Sequence, residues 1–201
     1  MSLYFFKNRK DTGFIYLFIY LLYGLLSDLF LNPLIKHFTK SPFVGFRIFT
    51  IVEYTLIAAF LSYIINNKKY KKAILYLSIA FLFYCIFDFF NSNFTSFDSS
   101  PTGISCILIL TYSIFFLFEK INYPDSFFLY STANFWIVVA LIIFFAGTFF
   151  IYIFSQSNFS DPSFNSIYNL INSTFTILRN LLFAIAFLIK PDKSKQSYII
   201  K

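Results

Sequence analysis

Long apolar segments alternate with short polar ones along all of this 201-residue chain. The apolar segments lie near the length of about 20 residues that a helix needs to cross the hydrocarbon core of a bilayer. Helices satisfy their backbone polar groups internally, so this pattern predicts an all-α, polytopic transmembrane bundle. We place six spans at about residues 13–31, 43–65, 73–90, 103–118, 134–154 and 164–189.

The last apolar segment, 164–190, carries a polar stripe. Five polar residues recur at steps of four, three, four and three, and Asn180 extends their row: Asn165, Asn169, Asn172, Thr176 and Arg179. On a helix these steps bring the five side chains to one face. Hydrocarbon does not solvate amide or guanidinium groups, so this face must meet protein or water. We predict that it lines a cavity that opens outward and is closed inward by residues 181–188.

Charged residues also interrupt other spans. Glu53 lies near the middle of the second span and Arg179 near the middle of the sixth. A charge at the bilayer centre costs about 3 kcal/mol on insertion scales, so we expect these two either to pair structurally or to face one hydrated cavity. The charged residues nearer to the ends of spans are Asp28, Arg47 and Asp88. We expect them either to touch the outer interface or to contribute to the same cavity. The candidate polar cavity therefore comprises Glu53, Arg179, Asn172, Asn169, Thr176, Asp28, Arg47 and Asp88.

The basic residues predict the orientation. With six spans and both termini in the cytoplasm, the inside segments hold twelve of the sixteen Lys and Arg residues, four of them in the run NNKKYKK at 66–72. This agrees with the positive-inside rule. The first outer loop, 32–42, argues mildly against it because it carries Lys36, Lys40 and His37. We expect one transmembrane domain over 1–201, multi-pass in the inner (plasma) membrane.

Composition supports the membrane assignment: 58% of the residues are hydrophobic and 12% are charged, about half the charge of soluble domains. The net charge of +7 does not indicate nucleic-acid binding, because the basic residues flank the spans. Cys85 and Cys106 lie inside spans, where we expect them to act as small apolar side chains. Near the membrane interfaces we expect Trp136, Tyr152 and Tyr168 to be aromatic anchors.

Chemistry-bearing motifs are lacking in the sequence. One histidine and two cysteines form no metal-ligand cluster of ordinary spacing, and no hydrolase, P-loop or nucleotide-binding pattern occurs. We therefore expect no enzymatic activity, no metal and no cofactor. Neither an inverted repeat nor a proline inside a span is evident, which predicts unbroken helices and disfavours a transporter.

Three segments carry a resemblance: IVEYTLIAAF at 51–60, NFWIVVALIIFFAG at 134–147 and INSTFTILRNLLFAIAFL at 171–188. With these segments the chain resembles a group of small, uncharacterised six-span bacterial membrane proteins. The resemblance implies a glutamate followed by an aromatic residue (Glu53 and Tyr54), Phe135 and Trp136 early in the fifth span, and a sensor kinase as a partner class. The chain resembles, more weakly, the multi-span accessory proteins of RNA-targeting CRISPR systems.

These patterns favour a membrane sensory or accessory module. Its polar cavity would bind a small ligand, a lipid or a partner helix and relay the change to a cytoplasmic partner. The alternative is an oligomeric pore or channel, including a membrane effector or accessory of a defence system, and a small transporter is less favoured. The expected partners are the lipid bilayer and a cytoplasmic signalling protein or further copies of the chain, without direct nucleic-acid binding.

Overall fold

The structure, a computed structural model, describes residues 13–39, 43–91, 99–122, 130, 132–158 and 161–189. The elements of the described part are all helical. They are α1 (Gly13–Leu26), a π turn (Ser27–Leu31), α2 (Asn32–Thr39), α3 (Phe43–Ile64), α4 (Lys68–Asn91), α5 (Ser99–Asn122), α6 (Ala133–Asn158) and α7 (Pro162–Leu188).

Five helices, α3 to α7, are long and apolar enough to cross a membrane. The apolar part of α1, Ile15–Leu26, is shorter. The prediction of an all-helical, multi-pass membrane protein is confirmed at this level. The predicted basic segments at the two termini, 1–10 and 190–201, lie outside the described residues.

The predicted loop at 32–42 is wrong over Asn32–Thr39, which is helical. Pro33 explains the π turn that precedes it. Proline has no N–H, so it cannot donate the helical hydrogen bond to the carbonyl of the residue four positions earlier, here Leu29. A wider turn over Ser27–Leu31 lets the helical run continue past this point. The first helical run is therefore irregular, where the sequence predicted unbroken helices.

Two further segments are more helical than predicted. The lysine run belongs to the first turns of α4, where Asn67 Oδ1 accepts a hydrogen bond from Lys69 N at 2.9 Å and so caps the helix. Helix α5 continues to Asn122, past its apolar stretch, so Glu119 is helical rather than part of a connection. Polar caps and buried polar contacts extend these helices beyond the segments that hydropathy outlines.

Pairs of contacting residues show how the helices run. Arg47 contacts Asp88 while Tyr54 contacts Phe81, so α3 and α4 are antiparallel. Glu119 of α5 instead contacts the backbone at the C-terminal end of α3, so these two helices are parallel. Helix α6 packs between α5 and α7. At the α6–α7 contact a side chain at Gly147 would meet the ring of Phe175.

The order of contacts is α1–α3–α5–α6–α7, with α4 against α3 and α5. The two ends of this row, α1 and α7, have few backbone contacts with each other. They meet through side chains, since Tyr20 of α1 touches both Arg179 and Phe183 of α7. The row therefore curls around an internal space that α1 and α7 only partly close.

Candidate functional site: a polar cavity within the helix bundle

A cavity of about 280 Å³ lies inside the curl. This volume corresponds to about nine water molecules at the ~30 Å³ that each takes up in the liquid. Five helices contribute to its wall. The lining residues are Tyr20, Leu21, Gly24, Leu25, Phe46, Phe49, Thr50, Glu53, Thr102, Ser105, Phe144, Phe145, Tyr152, Tyr168, Asn172, Thr176, Arg179 and Asn180.

Three polar side chains from three helices meet at one end of the cavity, which we call the floor: Tyr20, Glu53 and Arg179. The Tyr20 hydroxyl donates to Glu53 Oε1 at 2.8 Å and accepts from Arg179 Nη1 at 2.5 Å. Arg179 Nη1 lies 3.8 Å from Glu53 Oε1. The two charges therefore form an ion pair bridged by a phenol. Both side chains are largely withdrawn from solvent: that of Arg179 is 12% exposed and that of Glu53 is 15% exposed.

Two aromatic rings lie beside the Arg179 guanidinium, where water molecules would hydrate an exposed arginine. The Arg179 guanidinium carbon lies 4.2 Å from the centre of the Phe144 ring and 5.4 Å from that of Tyr20. Such cation–π contacts stabilise a desolvated guanidinium by about 2 kcal/mol. Arg179 Nε is buried and has no hydrogen-bond partner among the described residues. The guanidinium is thus held in place with one donor unsatisfied.

Further polar groups line the wall on α7. Tyr152 of α6 donates to Asn172 Oδ1 at 2.9 Å, which leaves the amide nitrogen of Asn172 as its remaining hydrogen-bonding group. Thr176 follows one turn later, and Asn180 follows at the exposed margin. Apolar and aromatic side chains of α1 and α3 also line the cavity, namely Leu21, Leu25, Phe46 and Phe49. The cavity lining therefore combines polar groups with apolar surface.

The floor is closed on its far side by apolar packing. One or two turns beyond Glu53 and Arg179, the side chains of Leu17, Ile57 and Phe183 are at most 3% exposed. Leu61 and Ala186 follow and are fully buried. The cavity therefore occupies one half of the bundle and ends blindly toward the end that bears the lysines of α4.

The structure distributes the eight predicted cavity residues over several places. Four of them line the cavity: Glu53, Arg179, Asn172 and Thr176. Asn169 is exposed on α7, and Asp28 lies in the π turn with its side chain outside the described part. Arg47 and Asp88 pair with each other at 2.9 Å across the α3–α4 contact, beside a separate small pocket.

Sequence reasoning missed the residues that join the site together. Tyr20 bridges Glu53 and Arg179 but is not among the eight residues predicted for the cavity. Tyr152 and Tyr168 line the cavity, whereas the sequence predicted interface anchors. A phenol in the middle of an apolar helix was the available signal, because a buried hydroxyl needs a hydrogen-bond partner.

Glu119 forms a second buried polar site at the other end of the bundle. Its carboxylate accepts hydrogen bonds from Asn66 N at 2.8 and 3.1 Å and from Asn67 N at 2.7 Å. Lys120 Nζ lies 3.9 Å away. Glu119 thereby ties the C-terminal end of α5 to the turn between α3 and α4.

No protein-family model, curated protein or solved structure matches this chain. Among the described residues, His, Cys, Asp and Glu form no group of three or more that would hold a metal ion. The cavity, with its bridged ion pair and its donors on α7, is the feature of the described structure with the clearest capacity to bind another molecule.

Proposed function

We propose that this chain is an integral membrane sensory or accessory module. A small ligand or a lipid occupies the cavity between α1 and α7, and a cytoplasmic partner, such as a signalling protein, receives the resulting change. The supporting observation is the blind polar cavity with the Glu53–Tyr20–Arg179 floor. Intramembrane ionisable groups are costly and usually mark a ligand or ion site.

The closed floor favours binding over conduction. A pore through one chain needs a continuous path, and here the polar wall stops at a layer of buried Leu17, Ile57 and Phe183. Bulky apolar side chains at a constriction exclude water and ions. A ligand that enters this cavity therefore leaves through the same opening.

The bundle offers a physical link from the cavity to the opposite end. Glu53 on α3 belongs to the floor, and α3 ends at the turn that Glu119 holds through Asn66 and Asn67. The lysine-bearing start of α4 follows directly. In the proposed topology, with six spans, α1 as the first and both termini in the cytoplasm, this end faces the cytoplasm. A displacement of Glu53 would reach a partner there through α3.

Cysteine accessibility in intact membranes tests the cavity. In a Cys85→Ala/Cys106→Ala background, we expect a membrane-impermeant thiol reagent to label cysteines placed at Asn172 and Thr176. Ile177, which is 61% exposed on the outer surface of α7, and Ala186, which is fully buried, are the matched controls and should stay unlabelled. Protection of both Asn172→Cys and Thr176→Cys would contradict a water-accessible cavity.

Reconstitution into liposomes separates a binding module from an oligomeric pore. We expect no ion or dye flux from the purified protein, and none from its Glu53→Gln and Arg179→Gln variants. Voltage-dependent flux that either variant alters would contradict the proposal and favour a pore built from several copies. Co-purification of a cytoplasmic protein, lost when the α4 lysines are replaced, would support the relay.

A further inference from the structure

We propose that the cavity binds an acidic amphiphile, with its oxyanion held by the donors of α7 and its hydrocarbon chain leaving between α1 and α7. This inference rests on the proposed function, since it names the class of ligand for the same cavity. The shared chemistry is a carboxylate or phosphate joined to an apolar chain. A free fatty acid and an acidic phospholipid are the two sources.

Donor groups of Arg179 and Asn172 in the cavity wall have no acceptor among the described residues. Among the described residues Glu53 is the one acidic residue of the lining, and its Oε1 accepts from Tyr20 and pairs with Arg179. Arg179 Nε has no acceptor among the described residues, although it is buried. Asn172 has its amide oxygen engaged by Tyr152, which leaves its N–H groups. A ligand that brings acceptor oxygens satisfies these groups, and an oxyanion does so with charge-assisted hydrogen bonds.

The donors follow one another along α7. Asn172, Thr176 and Arg179 occupy steps of four and three, so their side chains lie on one helix face and line the same wall. With a rise of 1.5 Å per residue the row is about 10 Å long, so one oxyanion meets the donors of neighbouring members of the row rather than all three. The Glu53 carboxylate would repel an anion. This repulsion is reduced because the carboxylate is paired with the Arg179 guanidinium and accepts a hydrogen bond from the Tyr20 hydroxyl.

The opening between α1 and α7 suits a hydrocarbon chain. The backbones of these helices make few contacts with each other, and Gly24 lines the cavity with no atom within 4 Å of the position that a Cβ would occupy. Leu25 also lines the cavity and is 63% exposed. A chain leaving here would pass directly from an apolar wall into lipid.

The cavity volume sets the share of the ligand that is enclosed. About 280 Å³ accommodates a polar head and a short length of chain, but not a whole phospholipid. The remainder of the chain must lie outside. A lateral opening at this depth provides that space, which a closed cavity would not.

Binding to protein in phosphatidylcholine nanodiscs, followed by native mass spectrometry, tests this ligand class. The probes are oleate, dioleoylphosphatidic acid, oleyl alcohol as the chain without a charge, and inorganic phosphate as the head without a chain. We expect oleate or dioleoylphosphatidic acid to bind about tenfold or more tightly than oleyl alcohol and phosphate. The acid that binds more tightly identifies the source.

Variants of the cavity residues test whether the acid binds in this cavity. Replacing Arg179 alone would strand Glu53, so the informative change is the neutral double variant Glu53→Gln/Arg179→Gln, which should lose the preference for the acid over oleyl alcohol. Gly24→Trp should fill the opening and weaken binding of both acids by about tenfold or more, whereas Ile177→Trp, on the outer surface of α7, should leave binding unchanged. Thermal unfolding of each variant verifies that it is folded.

The outcomes are distinguishable. Equal binding of oleyl alcohol and oleate, or unchanged acid preference in the double variant, overturns the acidic class but leaves a cavity that binds small molecules. Binding of phosphate as tightly as the acids overturns the role of the opening. Failure of every probe, together with protection of Asn172→Cys and Thr176→Cys, overturns the proposed function as well.

Discussion

Arg179 meets Glu53 through the hydroxyl of Tyr20 rather than by a direct hydrogen bond. The charged atoms are 3.8 Å apart, while the hydroxyl accepts from Arg179 at 2.5 Å and donates to Glu53 at 2.8 Å. One phenol thus connects α1, α3 and α7 at the floor of the cavity. Tyr20 also contacts Phe183 of α7, so a change at the floor should alter the separation of α1 and α7.

Removing the bridging hydroxyl should destabilise the bundle. In Tyr20→Phe, Glu53 and Arg179 each lose a hydrogen-bond partner in a buried setting, which we expect to lower the free energy of unfolding in detergent by about 1–3 kcal/mol. Tyr16→Phe is the matched control, since Tyr16 lies one turn earlier on α1 and packs its ring against Tyr63. A loss in Tyr16→Phe as large as that in Tyr20→Phe would contradict the special role of the bridge.

The Glu53–Arg179 pair should behave as a coupled unit. Arg179→Gln or Glu53→Gln alone leaves a buried charge without its partner, and each should lower the unfolding free energy by about 3 kcal/mol. The double variant should lose less than the sum, because neither charge remains. A double-mutant cycle measured by thermal or denaturant unfolding gives the coupling, and strictly additive losses would show that the charges do not interact.

Asp88→Asn supplies the comparison with the ion pair between Arg47 and Asp88. Asp88 is 29% exposed, and asparagine keeps an oxygen that can accept from Arg47. Ion pairs that water reaches contribute roughly 1 kcal/mol or less. We therefore expect Asp88→Asn to destabilise the protein less than Glu53→Gln in the same assay.

Two glycines should respond in opposite directions to the same change. A Cβ at Gly24 meets open space, so Gly24→Ala should be neutral or raise stability by about 0.5–1 kcal/mol through the helix preference of alanine. A Cβ at Gly147 would collide with the ring of Phe175, so Gly147→Ala should lower stability by about 1–3 kcal/mol as α6 and α7 shift apart. Unfolding midpoints in one detergent compare the two, and a stable Gly147→Ala protein would argue against the close α6–α7 contact.

Glu119 should control the order of the turn between α3 and α4. In Glu119→Ala the backbone N–H groups of Asn66 and Asn67 lose their acceptor, and we expect faster hydrogen exchange there together with a loss of about 1–3 kcal/mol. Asp161→Ala is a useful control because it removes a similar carboxylate–backbone bond, to Ser163 N, at the start of α7. Exchange at Asn66 and Asn67 should be unaffected by that change, and unchanged exchange in Glu119→Ala would contradict the contact.

Hydropathy and helical spacing predicted a large part of this architecture. Long apolar segments gave the helices α3 to α7 within a few residues, since a helix in hydrocarbon must be both apolar and long. The spacing of Asn172, Thr176 and Arg179 placed them on one face, and they line one cavity wall. Helix ends were less predictable, because Asn67 and Glu119 extend them through specific polar contacts that hydropathy does not report.

The chain sequence by itself determined which segments are helical and which helix carries polar groups, because both depend on local composition and on the fixed period of the helix. Only the tertiary structure decided which polar groups meet. Tyr20, Glu53 and Arg179 are far apart along the chain, and Asn169 shares the stripe of Asn172 yet remains exposed. Helix rotation and neighbour order set these contacts through packing between side chains of different helices, which no spacing within one helix encodes.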